Sequence, residues 1–270
     1  MMIDDMRDPI RRTAAAQRYF EELNGRFDAL SGSWEHDHRE FTECEGSTPL
    51  TRASGQCEVA GQLMTCISAA LESLNLSILL YRSDPNTVVT AHYSVIRTAV
   101  EASSTGIWLG TTGGENKMRF KSLKLAYRDN ENLMAVAMRD KHGNRDLLEN
   151  RRAKRRRLEE EFAALDCARG KDIARFPHYT QIIRDADGKM RGKGDRRLLD
   201  GQTSWRMCSG SAHGSRDVLI GSGLASPTGA GDEKTEEVSL QRDPWNTVSC
   251  MFPALENCER LIDLYRRGQW

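Results

Sequence analysis

Apolar residues between Gln56 and Tyr81 recur at steps of three and four positions, which is the spacing of one helical face. The residues concerned are Val59, Leu63, Ile67, Ala70, Leu71, Leu74, Ile78 and Leu79. Side chains at these steps lie one above another on a helix, so they form a single wide apolar surface. The pattern predicts a long helix that buries this surface in a core.

Three of the seven prolines directly follow an aspartate. Aspartate is a good N-cap, and proline at the first helical position loses no hydrogen bond, so each Asp-Pro pair predicts a helix start. The predicted helices run from Pro9 to about Leu30, from Pro85 to about Leu109 and from Pro244 to about Arg267, the last kinked at Pro253. Glycines at 110, 113 and 114 close the second one.

Two further stretches, Glu115–Met138 and Asp146–Cys167, have the Leu-, Ala-, Glu- and Arg-rich composition of helices. Residues 31–55, 186–203 and 221–235 are rich in Gly, Ser, Thr or charged residues without periodicity, which predicts irregular connections. No convincing alternating strand is present, although a short hairpin within 178–199 is an open alternative.

These elements predict one all-α domain over residues 1–270, a bundle of about six to seven helices. Residues 1–55 form an N-terminal helix and an irregular extension, and residues 56–268 form the helical core. The helices on either side of each irregular segment are too few to build two separate cores, which favours a single domain.

Charge and cysteine usage narrow the functional classes. Lys and Arg together number 39 and Asp and Glu number 39, so any anion-binding site must be local. The seven cysteines are scattered without a Cys-x-x-Cys pair, which indicates free thiols in a reducing cytoplasm. The uninterrupted apolar runs are short of the ~20 residues that cross a bilayer, and the N-terminus lacks a signal-peptide pattern, so we expect a cytoplasmic protein with no membrane partner.

The segment Ser204–Gly214 holds the strongest chemical signal. Arg206 and His213 lie seven residues apart, about two turns if the segment is helical, so both would project from one face. Gly210 lies between them and would leave a gap where backbone or substrate can approach closely. Asp217 follows His213 at i+4 and would orient the imidazole if the helix continues.

An imidazole beside a guanidinium suits phosphodiester cleavage without a metal. His213 would exchange protons with a reacting oxygen, and Arg206 would hold the scissile phosphate and its developing charge. Ser209 and Ser211 flank the pair as possible hydrogen-bond donors. A structural interpretation is also open, in which His213 is an interior residue bonded to a carbonyl and Arg206 pairs with a carboxylate.

The spacing of Arg206 and His213 resembles the Arg-x(4–6)-His motif of HEPN-domain proteins. The local sequence Trp-Arg-x-x-Ser-Gly-x-Ala-His-Gly also resembles uncharacterised actinobacterial-type proteins loosely associated with that group. HEPN domains are α-helical bundles that include many toxin and antiphage ribonucleases. The resemblance covers residues 204–214 closely and 56–268 in outline, and it implies a homodimer in which two copies of the pair form one RNA-cleaving site.

A second polar pair, Arg97 and Glu101, lies at i,i+4 within an apolar helix. The simpler interpretation is an ion pair that ties two helices together. The alternative is that Arg97 or Glu101 supports His213 or Arg206.

The strongest basic cluster is Arg151, Arg152, Lys154, Arg155, Arg156 and Arg157. It could contact RNA phosphates, but acidic residues at 159–161 match three of its arginines at i+4 and favour a solvated helix. Glu35-His36-Asp37-His38 is a weak metal-ligand set, so we expect no metal. No phosphate-binding loop or dinucleotide fingerprint occurs, so we expect no cofactor.

Taken together, the sequence predicts a metal-independent endoribonuclease of toxin or phage-defence type, acting on RNA as a homodimer. An antitoxin or defence-system protein is the expected further partner. The alternative is a non-catalytic helical protein that mediates interactions or binds a nucleotide or small anion on the same scaffold.

Overall fold

A computed structural model of the chain describes residues 9–43, 58–83, 89–111, 114–139, 145–190, 199–222, 224–228, 238–240 and 243–267. These residues form nine α-helices: α1 (Pro9–Glu43), α2 (Glu58–Ser83), α3 (Val89–Gly110), α4 (Glu115–Arg139), α5 (Arg145–Ala163), α6 (Tyr179–Met190), α7 (Gly201–Ala212), α8 (Arg216–Gly221) and α9 (Pro244–Arg267). Strands β1 (Ala225–Pro227) and β2 (Val238–Leu240) pair antiparallel, with Ser226 opposite Ser239.

Helix α3 is the centre of the bundle, because it packs against α2, α6, α7 and α9. Small residues allow these close approaches. A Cβ added to Gly106 would collide with Leu261 of α9, so only glycine fits at this crossing. One turn away, the buried Asn257 donates to Ser104 Oγ at 3.2 Å, which gives the same interface a polar contact.

The predicted apolar face of α2 is confirmed. Val59, Leu63, Ile67, Ala70, Leu71, Leu74 and Ile78 are all buried, and only Leu79 of the predicted set is exposed. Full burial of a Leu or Ile side chain contributes ~1.5–3 kcal/mol relative to leaving it in water. This row of contacts therefore accounts for much of the attachment of α2 to α3.

The helix start at Pro244 is also confirmed in atomic detail. Asp243 Oδ1 accepts hydrogen bonds from the backbone N–H groups of Trp245 at 3.0 Å and Asn246 at 3.2 Å, which is the N-cap arrangement. The same carboxylate also binds Arg12 of α1. Burial raises the pKa of Asp243, against the opposing effect of Arg12.

Helices α4 and α5 pair with each other and form a second, smaller apolar cluster. Leu123 and Tyr127 of α4 pack there with Leu158 and Phe162 of α5. Helix α4 also contributes Met118 to the main core, so it joins the two clusters.

Within the described residues the helix count exceeds the predicted six to seven for two reasons. The segment expected to hold a loop or hairpin after residue 178 is helical and forms α6, with Ile182 and Ile183 in the core. The segment expected to be one helix around His213 is divided into α7 and α8. Helix α1 also continues past Leu30 to Glu43, so part of the expected irregular extension is helical.

Two other expectations meet the structure only in part. The five described cysteines are free thiols, whereas Cys44 and Cys57 lie outside the described residues. Helix α2 is long and apolar enough, over Val59–Ser83, to cross a membrane by length and composition. The uninterrupted apolar runs in the sequence are short, so the sequence analysis does not predict a helix of this length and composition. Its packing against α3 and α9 is that of a core helix.

Candidate functional site

Two aspartates bind the backbone N–H groups at the start of helix α7. The side chain of Asp200 accepts from Thr203 N at 2.7 Å as the N-cap. Buried Asp187 of α6 accepts from Gly201 N at 3.0 Å and Gln202 N at 2.9 Å. A Cβ on Gly201 would lie 2.7 Å from Asp187 Oδ1, so glycine is needed for this contact. The N-terminus of α7 is therefore fixed to α6.

Helix α7 ends at its C-cap residue His213 because Gly214 adopts a left-handed conformation with φ of 66°. Ser215 N donates to Gly210 O at 2.8 Å and Gly214 N donates to Ser211 O at 3.1 Å. These two bonds define a Schellman motif. The imidazole consequently lies at a fixed helix end rather than in the middle of a helix.

This helix end overturns the prediction that Asp217 orients His213 from i+4 on one continuous helix. Asp217 lies in the first turn of α8, after the chain has changed direction at Gly214. The i+4 relation requires uninterrupted helical geometry between the two residues. Asp217 is exposed and has no hydrogen bond to His213 in the described structure.

The gap expected beside Gly210 is filled. A Cβ on Gly210 would lie 2.5–2.8 Å from three atoms of the Val218 side chain, so α8 folds back onto α7 at this glycine. The glycine serves helix packing and leaves no room there for substrate. Ser209 is half-buried, and its carbonyl accepts from His213 N at 3.1 Å as part of the helix end.

Arg206 and His213 are both exposed side chains of α7 and its C-cap. Seven residues at 3.6 residues per turn return to nearly the same face, about 10 Å further along the axis. The buried residues of α7, Ser204, Cys208 and Ser211, lie on the other side. Arg206 has no ion pair or side-chain hydrogen bond with any residue that the structure describes, so its guanidinium is available to an anion.

Arg97 of α3 reaches His213, with its Nη1 3.0 Å from the ring Nε2. A guanidinium can only donate, so Nε2 must accept with its lone pair. In this arrangement the imidazole is neutral and carries its proton on Nδ1. The contact spans 116 residues of sequence and fixes both the orientation and the tautomer of the ring.

Glu101 holds Arg97 in place. Its Oε1 accepts from Arg97 Nε at 2.8 Å and from the indole Nε1 of Trp205 at 2.7 Å. The Arg97 guanidinium also lies 5.6 Å from the centre of the Trp205 ring. The Arg97 and Glu101 side chains are 26% and 19% exposed, so the pair is partly shielded from water. We call Arg97, Glu101, Trp205 and His213 the Arg97 cluster.

The Arg97–Glu101 pair links α3 to α7 through Trp205, and Arg97 also contacts His213. Trp205 is the member that sequence reasoning missed. It is half-buried, packs against the main core and donates its indole N–H to Glu101. The need of a partly buried tryptophan N–H for an acceptor is the signal that could have indicated this contact.

Some basic side chains of helix α5 form ion pairs with acidic residues, and others do not. Arg155 pairs with Glu159 at 3.0 Å and Arg157 with Glu161 at 3.0 Å, the i+4 pairs expected of a solvated helix. Arg152 and Arg156 are exposed. Arg155 also lies 3.6 Å from Glu131 of α4, so these four cations are either exposed or paired with acidic side chains.

The other two, Arg151 and Lys154, line a cleft of about 510 Å³. Helices α2, α3, α4 and α6 form the rest of its wall, and Glu101 of the Arg97 cluster is one of the lining residues. Neither cation has an acidic partner among the residues that the structure describes. The cleft and the Arg97 cluster therefore adjoin at Glu101.

No group of three or more His, Cys, Asp and Glu residues able to hold a metal ion occurs among the described side chains. Of the weak ligand set at 35–38, the side chains of residues 36–38 lie outside that description.

Comparison of the chain with family models, with curated proteins and with solved structures found no match.

Proposed function

We propose that this chain is a HEPN-like, metal-independent endoribonuclease in which Arg206 binds the scissile phosphate and His213 transfers the proton. The single observation that supports it most is that the two side chains share one exposed face while Arg97 holds the His213 ring. An enclosed His213 would have favoured a purely structural role. Asp217 has no part in the proposal, because Arg97 makes the orienting contact.

A general base requires an imidazole nitrogen with a lone pair that can accept a proton. His213 Nε2 takes the proton from a ribose 2′-hydroxyl, and the 2′-oxygen attacks the adjacent phosphorus. Arg206 stabilises the additional negative charge on the phosphoryl oxygens. The bond from phosphorus to the 5′-oxygen breaks, and that oxygen takes a proton from an imidazolium. The products are a 2′,3′-cyclic phosphate and a 5′-hydroxyl.

Arg97 occupies the same lone pair that must accept the proton. A phosphate that attracts the Arg97 guanidinium would release Nε2 at the moment substrate is in place. Glu101 and Trp205 keep Arg97 near the ring meanwhile. Arg97 is thus a positioning residue that orients the His213 ring until RNA binds.

One imidazole serves as base and another can serve as acid if two chains associate. The resemblance to HEPN proteins implies such a homodimer, with two α7 helices facing each other. A cytoplasmic toxin or phage-defence role, with an antitoxin or defence-system partner, belongs to the same proposal and rests on that resemblance.

The test is RNA cleavage in the presence of EDTA by purified protein and by His213→Ala and Arg206→Ala. Each substitution should reduce the rate by ~10²–10⁴-fold, because each removes one catalytic group. His178→Ala and Arg18→Ala are the matched controls, since both residues are exposed and distant from α7 in sequence. Circular dichroism should show the same helix content in all five proteins.

Undiminished cleavage by His213→Ala would rule out the proposal, and so would activity that EDTA abolishes. The second candidate is a protein that binds nucleotides or phosphate without cleaving them. The unpaired, exposed Arg206 favours it equally. Stable RNA binding with no product after long incubation, lost in Arg206→Ala, would select this alternative.

A further inference from the structure

The cleft beside the Arg97 cluster has the size of a small-molecule site. Its volume of about 510 Å³ falls in the range of ligand pockets, ~300–1,000 Å³. Small side chains form much of its wall, among them Gly61, Ala69, Ala102 and Ala126. Such a wall presents a smooth apolar surface that suits a flat ring.

The acidic residues of the cleft have cationic partners, whereas two of its basic residues have no acidic partner among the described residues. Its acidic residues are engaged, Glu101 by Arg97 and Trp205, and Asp129 by Arg128 at 3.3 Å. Arg151 and Lys154, which also line the cleft, have no acidic partner among the described residues, unlike their neighbours Arg155 and Arg157. Two uncompensated cations at one edge of an apolar slot suit an anionic group attached to an apolar ring.

A third cation is already oriented at the cleft. Arg128 stacks 4.1 Å from the ring centre of Phe176, and its Nη1 donates to the Tyr179 hydroxyl at 3.3 Å. Its Nε and Nη2 lie 3.4 Å and 3.3 Å from Asp129 Oδ1, so the edge of this guanidinium is already occupied. Arg128 therefore shapes the wall of the cleft, and Arg151 and Lys154 are the cations left to bind an anion.

The wall also holds two hydrogen-bond acceptors without donors. Gln62 donates through Nε2 to Ser122 O and Asn130 donates through Nδ2 to Arg151 O, at 3.1 Å each. The carbonyl oxygens of both amides are buried and have no partner among the described residues. An N–H donor on a ligand would satisfy acceptors that this part of the protein leaves unpaired.

We propose that this cleft binds a nucleotide with an amino-bearing base, the base lying against the small-residue wall between α2 and α4 and the phosphate at Arg151 and Lys154. A nucleobase supplies the flat ring and the N–H donors, and the phosphate supplies the anion. If the nucleotide belongs to an RNA chain, another unit of that chain reaches His213 past Glu101, and this part rests on the ribonuclease proposal. The proposal that the cleft binds a nucleotide does not depend on RNA cleavage.

The experiment measures binding of AMP by isothermal titration calorimetry to the full chain and to Arg151→Ala/Lys154→Ala. Loss of two charge-assisted contacts should weaken binding at least about tenfold. Arg156→Ala is the matched control, because Arg156 is an exposed arginine of the same helix that does not line the cleft. Ala69→Phe, which places a ring in the slot, should abolish AMP binding without removing any charge.

Three results would overturn the assignment: no AMP binding by the unaltered protein at millimolar concentration, equal weakening by Arg156→Ala, or pyrophosphate binding as tight as AMP. An octamer of adenylate that binds more tightly than AMP identifies RNA as the source of the nucleotide. Equal affinity identifies a free nucleotide. His213→Ala separates the two proposals, since it should retain AMP binding whether or not the chain cleaves RNA.

Discussion

Trp205 donates its indole N–H to Oε1 of Glu101 at 2.7 Å, and the same oxygen accepts from Arg97. Two donors from two helices thus converge on one carboxylate oxygen. The arrangement joins α7 to α3 at the point where His213 is held. Its energetic contribution can be measured separately from any enzymatic activity.

Trp205→Phe keeps the ring but removes the N–H donor. We expect a loss of about 1–2 kcal/mol in the free energy of unfolding, because a hydrogen bond to a charged group is lost. Urea denaturation of Trp205→Phe, Glu101→Gln and the double variant completes the test. Strictly additive losses would show that the two side chains do not interact, whereas contact predicts coupling of roughly 0.5–3 kcal/mol.

Arg97→Met should release the His213 ring from its single tautomer. The bond from Arg97 Nη1 to Nε2 is the only described contact that specifies which nitrogen carries the proton. Nitrogen-15 chemical shifts of the imidazoles measure this directly. We expect the His213 shifts to move and those of exposed His178 to stay constant, and identical His213 spectra would contradict the contact.

Gly210→Ala should separate α8 from α7. The added methyl would lie 2.5–2.8 Å from Val218, and overpacking of this kind typically lowers stability by about 1–3 kcal/mol. Val218→Ala in the same chain should recover much of the loss, as followed by thermal unfolding. Gly221→Ala is the control, because a Cβ there meets no atom within 4 Å. A loss in Gly210→Ala that Val218→Ala leaves unchanged would refute the steric cause.

Lys121 predicts a dependence of stability on alkaline pH. Burial lowers its pKa to about 8, with Lys189 and Lys117 adding to the effect and Asp185 opposing it. Its Nζ donates to Trp108 O at 2.6 Å. Because the unfolded chain retains a proton up to a higher pH than the folded one, folding is penalised below pH 8 and the penalty disappears as pH rises from about 8 towards 10.5.

Lys121→Met removes this titration. The stability of the unaltered protein relative to the variant should therefore increase between pH 7.5 and pH 10, as measured by urea denaturation at each pH. Parallel pH curves for the two proteins would show that the folded chain does not lower the pKa of Lys121.

Local rules were sufficient for much of the helical architecture. The three- and four-residue spacing in α2 identified buried residues correctly, and Asp243 caps α9 as the Asp-Pro pair predicts. Gly214 was a stop signal within the same sequence. It ends α7 between His213 and Asp217, so the i+4 spacing of these two residues does not place them on one helix.

Tertiary placement could not be predicted from this sequence in the same way. Arg97 and His213 are separated by 116 residues, and nothing in either helix specifies that α3 and α7 are neighbours. The cleft is even harder to predict from the sequence, because side chains of five helices form its wall. Arg155 has Glu159 at i+4 and Arg151 has no acidic residue there, but only the fold places Arg151 in the wall of the cleft.

Glu101 belongs to the wall of the cleft and also anchors the guanidinium that touches His213. Any occupant that shifts this carboxylate must change the affinity of the imidazole site, and by thermodynamic linkage an anion bound at His213 must change the affinity of the cleft by the same factor. An occupant of the cleft that shifts Glu101 would therefore be coupled to the imidazole site, with the sign of the coupling set by whether Glu101 keeps or loses its hold on Arg97.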